Sequence, residues 1–274
     1  MNRQFETLEP IELYVEIGKG NVEVRATGTT TTTLDIEGRD ADEVTVTFES
    51  NRLTVVGPKD GGNWFGGRDR ELRVEVELPT ASDVAIKTGS ADIEVEGQVN
   101  EGRIKTGSGD VTCDTFSGAA QVDTGSGDVE VSEGLAELRV KSGSGDISVG
   151  TCLGELNVST GSGDVEVGTA NSRSVVKTGS GDLKVASANA DISLATGSGD
   201  LEIGAVRRGR VNVKGASSDV RIGIPAGTPV WADINTVTGS VRSNLESVGA
   251  PKEGQDHVEL QARTVSGDIF LSEI

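Results

Sequence analysis

One aspartate sets the terms on which this chain can fold. It recurs at Asp92, Asp110, Asp128, Asp146, Asp164, Asp182 and Asp200, always 18 residues from the last, and Asp219 follows after 19. From Asp110 to Asp200 it closes a corner of Thr or Ser, then Gly-Ser-Gly, as in Thr106-Gly-Ser-Gly-Asp110. A fixed period of this kind is the signature of a solenoid, in which each repeat is one coil stacked on the last.

With each Asp set as zero, apolar residues fill plus one (Ile93, Val111, Val129, Ile147), plus three (Val95, Cys113, Val131, Val149) and minus six (Ile86, Ile104, Val122, Val140). Minus eight is mixed but often apolar, with Val84, Leu138 and Leu156. Within each pair the inward residues sit two apart, the strand period, with a polar residue between them. Around the coil the spacings are two, seven, two and seven. A three-sided hexapeptide helix needs an inward residue every six, so that architecture and its acyltransferases are excluded. The pattern predicts an all-β, single-stranded parallel β-solenoid with two-sided coils.

Such a coil places two sheets about 10 Å apart, a gap that one layer of β-branched residues from each side fills well. The aromatic content of only 3% fits a thin aliphatic core. The corner glycines at minus three and minus one are expected to supply the positive φ of a tight turn. Each Asp is expected to accept hydrogen bonds from N–H groups of its own corner.

The repeat runs on without a linker, so residues 1–274 are expected to form one continuous domain. Its parts are irregular N-terminal coils over 1–80 with a loop at 58–70, regular coils over 81–223, and C-terminal coils and cap over 224–274. Val258–Ala262 and Thr264-Val-Ser-Gly-Asp-Ile269 read as the final coil. Degenerate coils at both ends read as blunted edges, which predicts a monomer or small oligomer rather than a filament.

A net charge of −19 argues against nucleic acid and anionic membrane surfaces, both of which select basic patches. No apolar run is long enough to span a membrane as a helix, and the opening residues lack the apolar stretch of a secretory signal. Cys113 faces the core, while Cys152 falls at the opposite turn two coils on. Both are therefore expected as reduced thiols, and the protein as cytoplasmic.

The Gly-Ser-Gly-Asp coils resemble a bacterial family known as putative adhesins, a β-solenoid domain of unknown function. The opening Leu13-Tyr-Val-Glu-Ile-Gly-Lys-Gly-Asn-Val-Glu-Val24 and the closing Val241-Arg-Ser-Asn-Leu245 through Val258–Ile269 are similar to its actinobacterial members. The resemblance spans nearly the whole chain. It implies the solenoid fold and brings no catalytic residue that can be carried over; no cofactor is expected.

Three features invite a functional reading. The Asp column (Asp110, Asp128, Asp146, Asp164, Asp182, Asp200) could form a row of cation sites, or could be structural. Calcium solenoids also build 18-residue coils, from two nine-residue repeats. Here glycine precedes Asp directly, the second half-coil lacks the motif, and calcium needs six to eight oxygens where each coil offers one carboxylate.

The second feature is the pair Trp64 and Phe65 in a Gly-rich segment, which reads as a plug over the N-terminal coils or as a partner-docking site. Trp231, on the outward parity of Val230–Ile234, is a further partner-binding candidate. The third feature is charge. Glu94, Glu130, Glu166 and Glu202 line plus two, while Lys87, Lys105, Lys141, Lys177 and Lys214 line minus five. One sheet face leans acidic and the other basic.

His257 stands alone in a polar loop, and no nucleophile–histidine arrangement follows from the spacing. The sequence therefore reads as a non-enzymatic interaction or scaffold module with an unknown protein partner. The alternatives are a self-assembling structural protein, a cation-binding solenoid and, last, a β-helical carbohydrate-active enzyme.

Overall fold

The computed structural model describes residues 1–58 and 71–274. Among them, all elements but a short 3-10 turn at Ala41–Glu43 are strands. The chain divides into two compact units, Met1–Ala136 and Glu137–Ile274.

Regular coils stack in parallel at the offset of the repeat. In the first unit Gly102–Thr106 and Val111–Phe116 form one coil, with Ala120–Thr124 and Val129–Gly134 beneath. Ile104 lies on Val122, Val111 on Val129 and Cys113 on Val131. In the second unit Leu156–Thr160 and Val165–Ala170 stack on Ser174–Thr178 and Leu183–Ala188, placing Val158 on Val176 and Val167 on Val185. Both units have the expected two-sided coil.

The inward columns at plus one, plus three, minus six and minus eight are buried, each filled side chain contributing about 1.5–3 kcal/mol of transfer energy as an upper estimate. A further buried column lies at plus six: Phe116, Gly134, Cys152, Ala170, Ala188 and Val206. It closes the second turn over the core, so Cys152 is an interior residue and not a turn residue. Where that column is largest, at Phe116, the facing minus-eight residue is Gly102, whose missing Cβ leaves room for the ring.

The outermost layers depart from chain order. In the first unit Glu12–Thr27 pairs in parallel with Arg52–Val56 and Glu71–Pro79 on one side, and with Asp83–Val99 on the other. The N-terminal coil is thus buried one layer deep. Above it the sheet turns antiparallel: Thr31–Glu37 pairs with Glu71–Pro79, Asn2–Glu6 with Thr31–Glu37, and Thr45–Glu49 with Arg52–Val56. Phe5 and Phe48 meet there with ring centroids 4.9 Å apart, closing the core between the two rows.

The second unit repeats the device. Val258–Ser266 pairs with Gly209–Ser217 on one side and Val230–Thr238 on the other. The coil expected to be last is the penultimate layer, and Val230–Thr238 with Val241–Ser243 is outermost.

Candidate interaction surfaces

The corner chemistry is built from backbone outward. Each Thr or Ser at minus four is buried, and from Thr106 to Thr178 each accepts a bond from its own corner: Gly109 N–H to Thr106 Oγ1 at 3.0 Å, Gly163 N–H to Thr160 at 3.2 Å, Gly181 N–H to Thr178 at 3.1 Å. The same hydroxyls donate to the preceding coil, as Thr178 does to the Gly163 oxygen at 3.1 Å. Every buried hydroxyl of this kind is satisfied, the usual condition for a polar group in a core.

The Asp column has a different partner from the one expected. Along the column the carboxylate accepts the N–H of the next coil's Asp, not of its own corner. Asp110 N–H donates to Asp92 Oδ1 at 3.0 Å, Asp128 to Asp110 at 2.9 Å, Asp164 to Asp146 at 2.8 Å, Asp182 to Asp164 at 2.8 Å and Asp200 to Asp182 at 2.7 Å. Asp268 N–H donates to Asp219, and Ser240 N–H to Asp268. The ladder ends at Ser240, in the outermost coil, where no following coil needs an acceptor. Asp268 is held below the usual carboxylate range chiefly by the Ser240 N–H it accepts.

The corner glycines also have a different cause. None from Gly107 to Gly199 has a positive φ. A Cβ at Gly109, Gly127, Gly163 or Gly181 would instead drive into the carbonyl oxygen of the coil before. Close axial approach requires glycine here, not turn geometry. Among the described residues no three His, Cys, Asp or Glu side chains are grouped to hold a metal.

On the walls, the register separates the glutamates of the plus-two column by Thr112, Ser148 and Lys184. Glu166 lies between Ser148 and Lys184, and Lys184 Nζ is 3.5 Å from Glu166 Oε1. At minus five, Lys105 Nζ is 3.5 Å from Asp123. These are exposed pairs worth little each, and the plus-two column stays acidic and the minus-five column basic.

The two cysteines are buried and unpaired. Burial raises both thiols, Cys152 to about 11. His257 sits in a cleft of about 680 Å³ in the second unit, lined by Arg173, Arg208, Arg210 and Lys252. Its ring lies 3.9 Å from Glu259 and 3.3 Å from the Gln255 oxygen, and Arg210 Nε donates to Glu259 Oε2 at 3.0 Å. Two of the cleft's cations, Arg208 and Arg210, pair with its own Asp256 and Glu259.

The outermost coil of the second unit is where apolar surface gathers. Trp231 is 60% exposed, as its parity implied, and Val237 is 73% and Val241 47% exposed. Ala232, on the inward parity, is also exposed, and Ile234 is only half-buried, because no coil covers them. Trp64 and Phe65 lie outside the described residues. Sequence reasoning missed the open coil because it took Val258–Ile269 as last. The signal available was Ser240 standing where an Asp would invite another coil.

Among the described residues no helix is long and apolar enough to cross a membrane. A family model for Toastrack DUF4097 matches residues 9–175 and 172–274. No curated protein matches the chain. Three solved structures are similar to it over its whole length. One called a putative adhesin, from Bacteroides fragilis, is 13% identical with a TM-score of 0.40 and 96% of its own chain covered. One called a putative lipid binding protein, from Parabacteroides distasonis, is 12% identical with a TM-score of 0.37 and 96% covered. One called a putative adhesin, from Parabacteroides merdae, is 13% identical with a TM-score of 0.36 and 95% covered.

Proposed function

This chain belongs to the Toastrack DUF4097 family, and on that premise we propose that it is a non-enzymatic interaction module of the putative-adhesin type, an actinobacterial-type member. Its recognition surface is the open coil Val230–Ser243, with Trp231 as the anchor. One observation carries this reading. Of the eight large apolar residues exposed among those described, six (Trp231, Val237, Val241, Val248, Val265, Ile274) follow residue 230. Exposed apolar clustering marks interaction sites, and Trp is over-represented among residues that dominate binding. The sequence keeps Trp64–Phe65 as a second candidate docking pair. A reducing, cytoplasmic setting belongs to the same proposal, supported by the two buried free thiols; cell fractionation tests it.

The test places a photo-cross-linking residue at Val237 and, in a second variant, at Lys177 on the wall. Cross-links to a defined polypeptide from position 237 and none from 177 are expected. Equal labelling from both sites, or none from 237, overturns the assignment.

A further inference from the structure

We propose that the open coil is a self-docking edge. Two copies of this chain join through antiparallel pairing of Val230–Thr238 with the same strand of the second copy. The proposal rests on reading that coil as the interaction surface and names its occupant.

The first ground is the backbone. Val230–Thr238 pairs only with Val258–Ser266, and Val241–Ser243 only with Ile269–Glu273, so among the described residues the outer edge of both rows is unpaired. A long unpaired edge is a template for another strand unless charge, proline or a covering element blunts it. The first unit's outermost layer shows such devices. Its outer strands Asn2–Glu6 and Thr45–Glu49 also pair on one side only, but they carry Arg3, Glu6 and Glu49, Arg3 Nη1 caps the Val46 oxygen at 3.2 Å, and Phe5 packs on Phe48. Val230–Thr238 has no proline and one charged residue, Asp233.

Charge also favours like against like here. The chain carries −19, and repulsion between two copies opposes most contacts. Val230–Ser243 holds one anion, Asp233, and one cation, Arg242. Two copies of it meet as neutral surfaces.

The strand is also complementary to itself. A two-fold axis through Ile234 sets Trp231 opposite Val237, Asp233 opposite Asn235, Ala232 opposite Thr236 and Val230 opposite Thr238. The Trp231–Val237 pair is aromatic on β-branched, a favourable cross-strand match, and the axis makes it twice. Asp233 meets a neutral amide and not a second carboxylate. The same axis, perpendicular to the two sheets, brings Val241–Ser243 antiparallel to its twin. Both sheets then run on into the second copy, and the uncovered Ala232, Ile234 and Val241 are covered by their counterparts.

An isologous contact of this kind closes at two. The alternative, a parallel continuation of the solenoid, lacks its acceptor, because Ser240 offers no carboxylate to the N–H of a further coil.

Sedimentation velocity of the full chain over a wide concentration range tests this. Wild type is expected to reach twice its 28.3 kDa. Val237→Asp sets a carboxylate against Trp231 in both symmetric pairs, and Trp231→Lys sets a cation against Val237. Each alone is expected to weaken the dimer by at least about tenfold. Mixed, they are expected to restore a heterodimer, since the new Asp and Lys then face each other once. Both sites are exposed, and unchanged circular-dichroism melts at low concentration verify the fold.

Several results overturn the proposal: a wild type monomeric throughout, variants that dimerise as wild type does, a mixture that stays monomeric, or fibres. A monomer that still cross-links a different protein from position 237 defeats self-pairing alone and leaves the interaction reading standing. Loss of both signals defeats the two together.

Discussion

Replacing Asp164 isolates the axial carboxylate ladder, because its acceptor and its repulsion can be separated. Its Oδ1 takes the Asp182 N–H at 2.8 Å, and its own N–H donates to Asp146 at the same distance. A bond to a charged acceptor contributes about 1.5–3 kcal/mol net, and the low end applies at an exposed corner where water replaces it. Against this stands repulsion from two neighbouring carboxylates. At a strand spacing of about 4.8 Å each pair costs ~0.9 kcal/mol at water's dielectric, and roughly half that once 0.15 M salt screens it.

Asp164→Ala should therefore destabilise by about 0.5–1 kcal/mol in 0.15 M salt, rising towards ~1.5 kcal/mol at 1 M, where there is no repulsion left to relieve. Asp164→Asn keeps an oxygen in place and sheds the charge. It should be neutral or stabilise by up to about 0.9 kcal/mol at low salt, with the gain fading as salt is added. Denaturant melts at two salt concentrations, with and without chelator, read all four quantities. The ladder argument fails if Asn costs as much as Ala at every salt concentration, since then the charge itself is required. A large calcium-dependent rise in melting temperature would point to the cation row instead.

Two further outcomes follow from the same geometry. Thr178→Val strands the Gly181 N–H and the Gly163 oxygen in a buried corner and should cost about 2–4 kcal/mol, while Thr178→Ser, the residue already used at Ser142, should cost under about 1 kcal/mol by denaturant melts. Tyr14 is the only tyrosine, and its hydroxyl donates to Glu16 Oε2 at 2.6 Å, which with burial and the Glu16 charge raises its pKa above 10.0. The contribution is present below pH 10 and is lost as pH rises through the raised folded value, so phenolate absorbance should rise late, and Glu16→Gln should bring its midpoint back towards 10.0. A midpoint unmoved by that substitution would refute the assignment.

What the sequence made legible was whatever repeats locally. The 18-residue register, the inward columns headed by Val111, Cys113 and Val122, and the outward parity of Trp231 all follow from a strand's two-residue period. The plus-six column was hidden by its mixed sizes, from Gly134 to Phe116, although none of its members is charged. The glycines were visible but their cause was not. A positive φ is a property of one residue, whereas the clash at Gly163 depends on the carbonyl of the coil before. The Asp ladder misled in the same way, since Asp182 N–H lies one coil from the carboxylate that accepts it.

Layer order was the least legible property, because a strand's pattern states which face is buried but not which strand lies beside it. Glu12–Thr27 matches Glu71–Pro79 as well as it matches Asp83–Val99, and it pairs with both. The physical gain is at the C-terminus, since a terminal strand with one neighbour frays. Here the C-terminal strands Val258–Ser266 and Ile269–Glu273 have neighbours on each side and the internal Val230–Thr238 and Val241–Ser243 form the outermost layer instead, whereas in the first unit Asn2–Glu6 is itself outermost and pairs with Thr31–Glu37 alone. The outermost layer is specialised differently in the two units. In the first unit it is spent on antiparallel strands and the Phe5–Phe48 contact, which end the sheet. In the second, Ser240 ends the Asp ladder while the backbone edge of Val230–Thr238 stays open. An edge that refuses another coil of its own kind yet still offers N–H and C=O groups selects a strand arriving in the opposite direction.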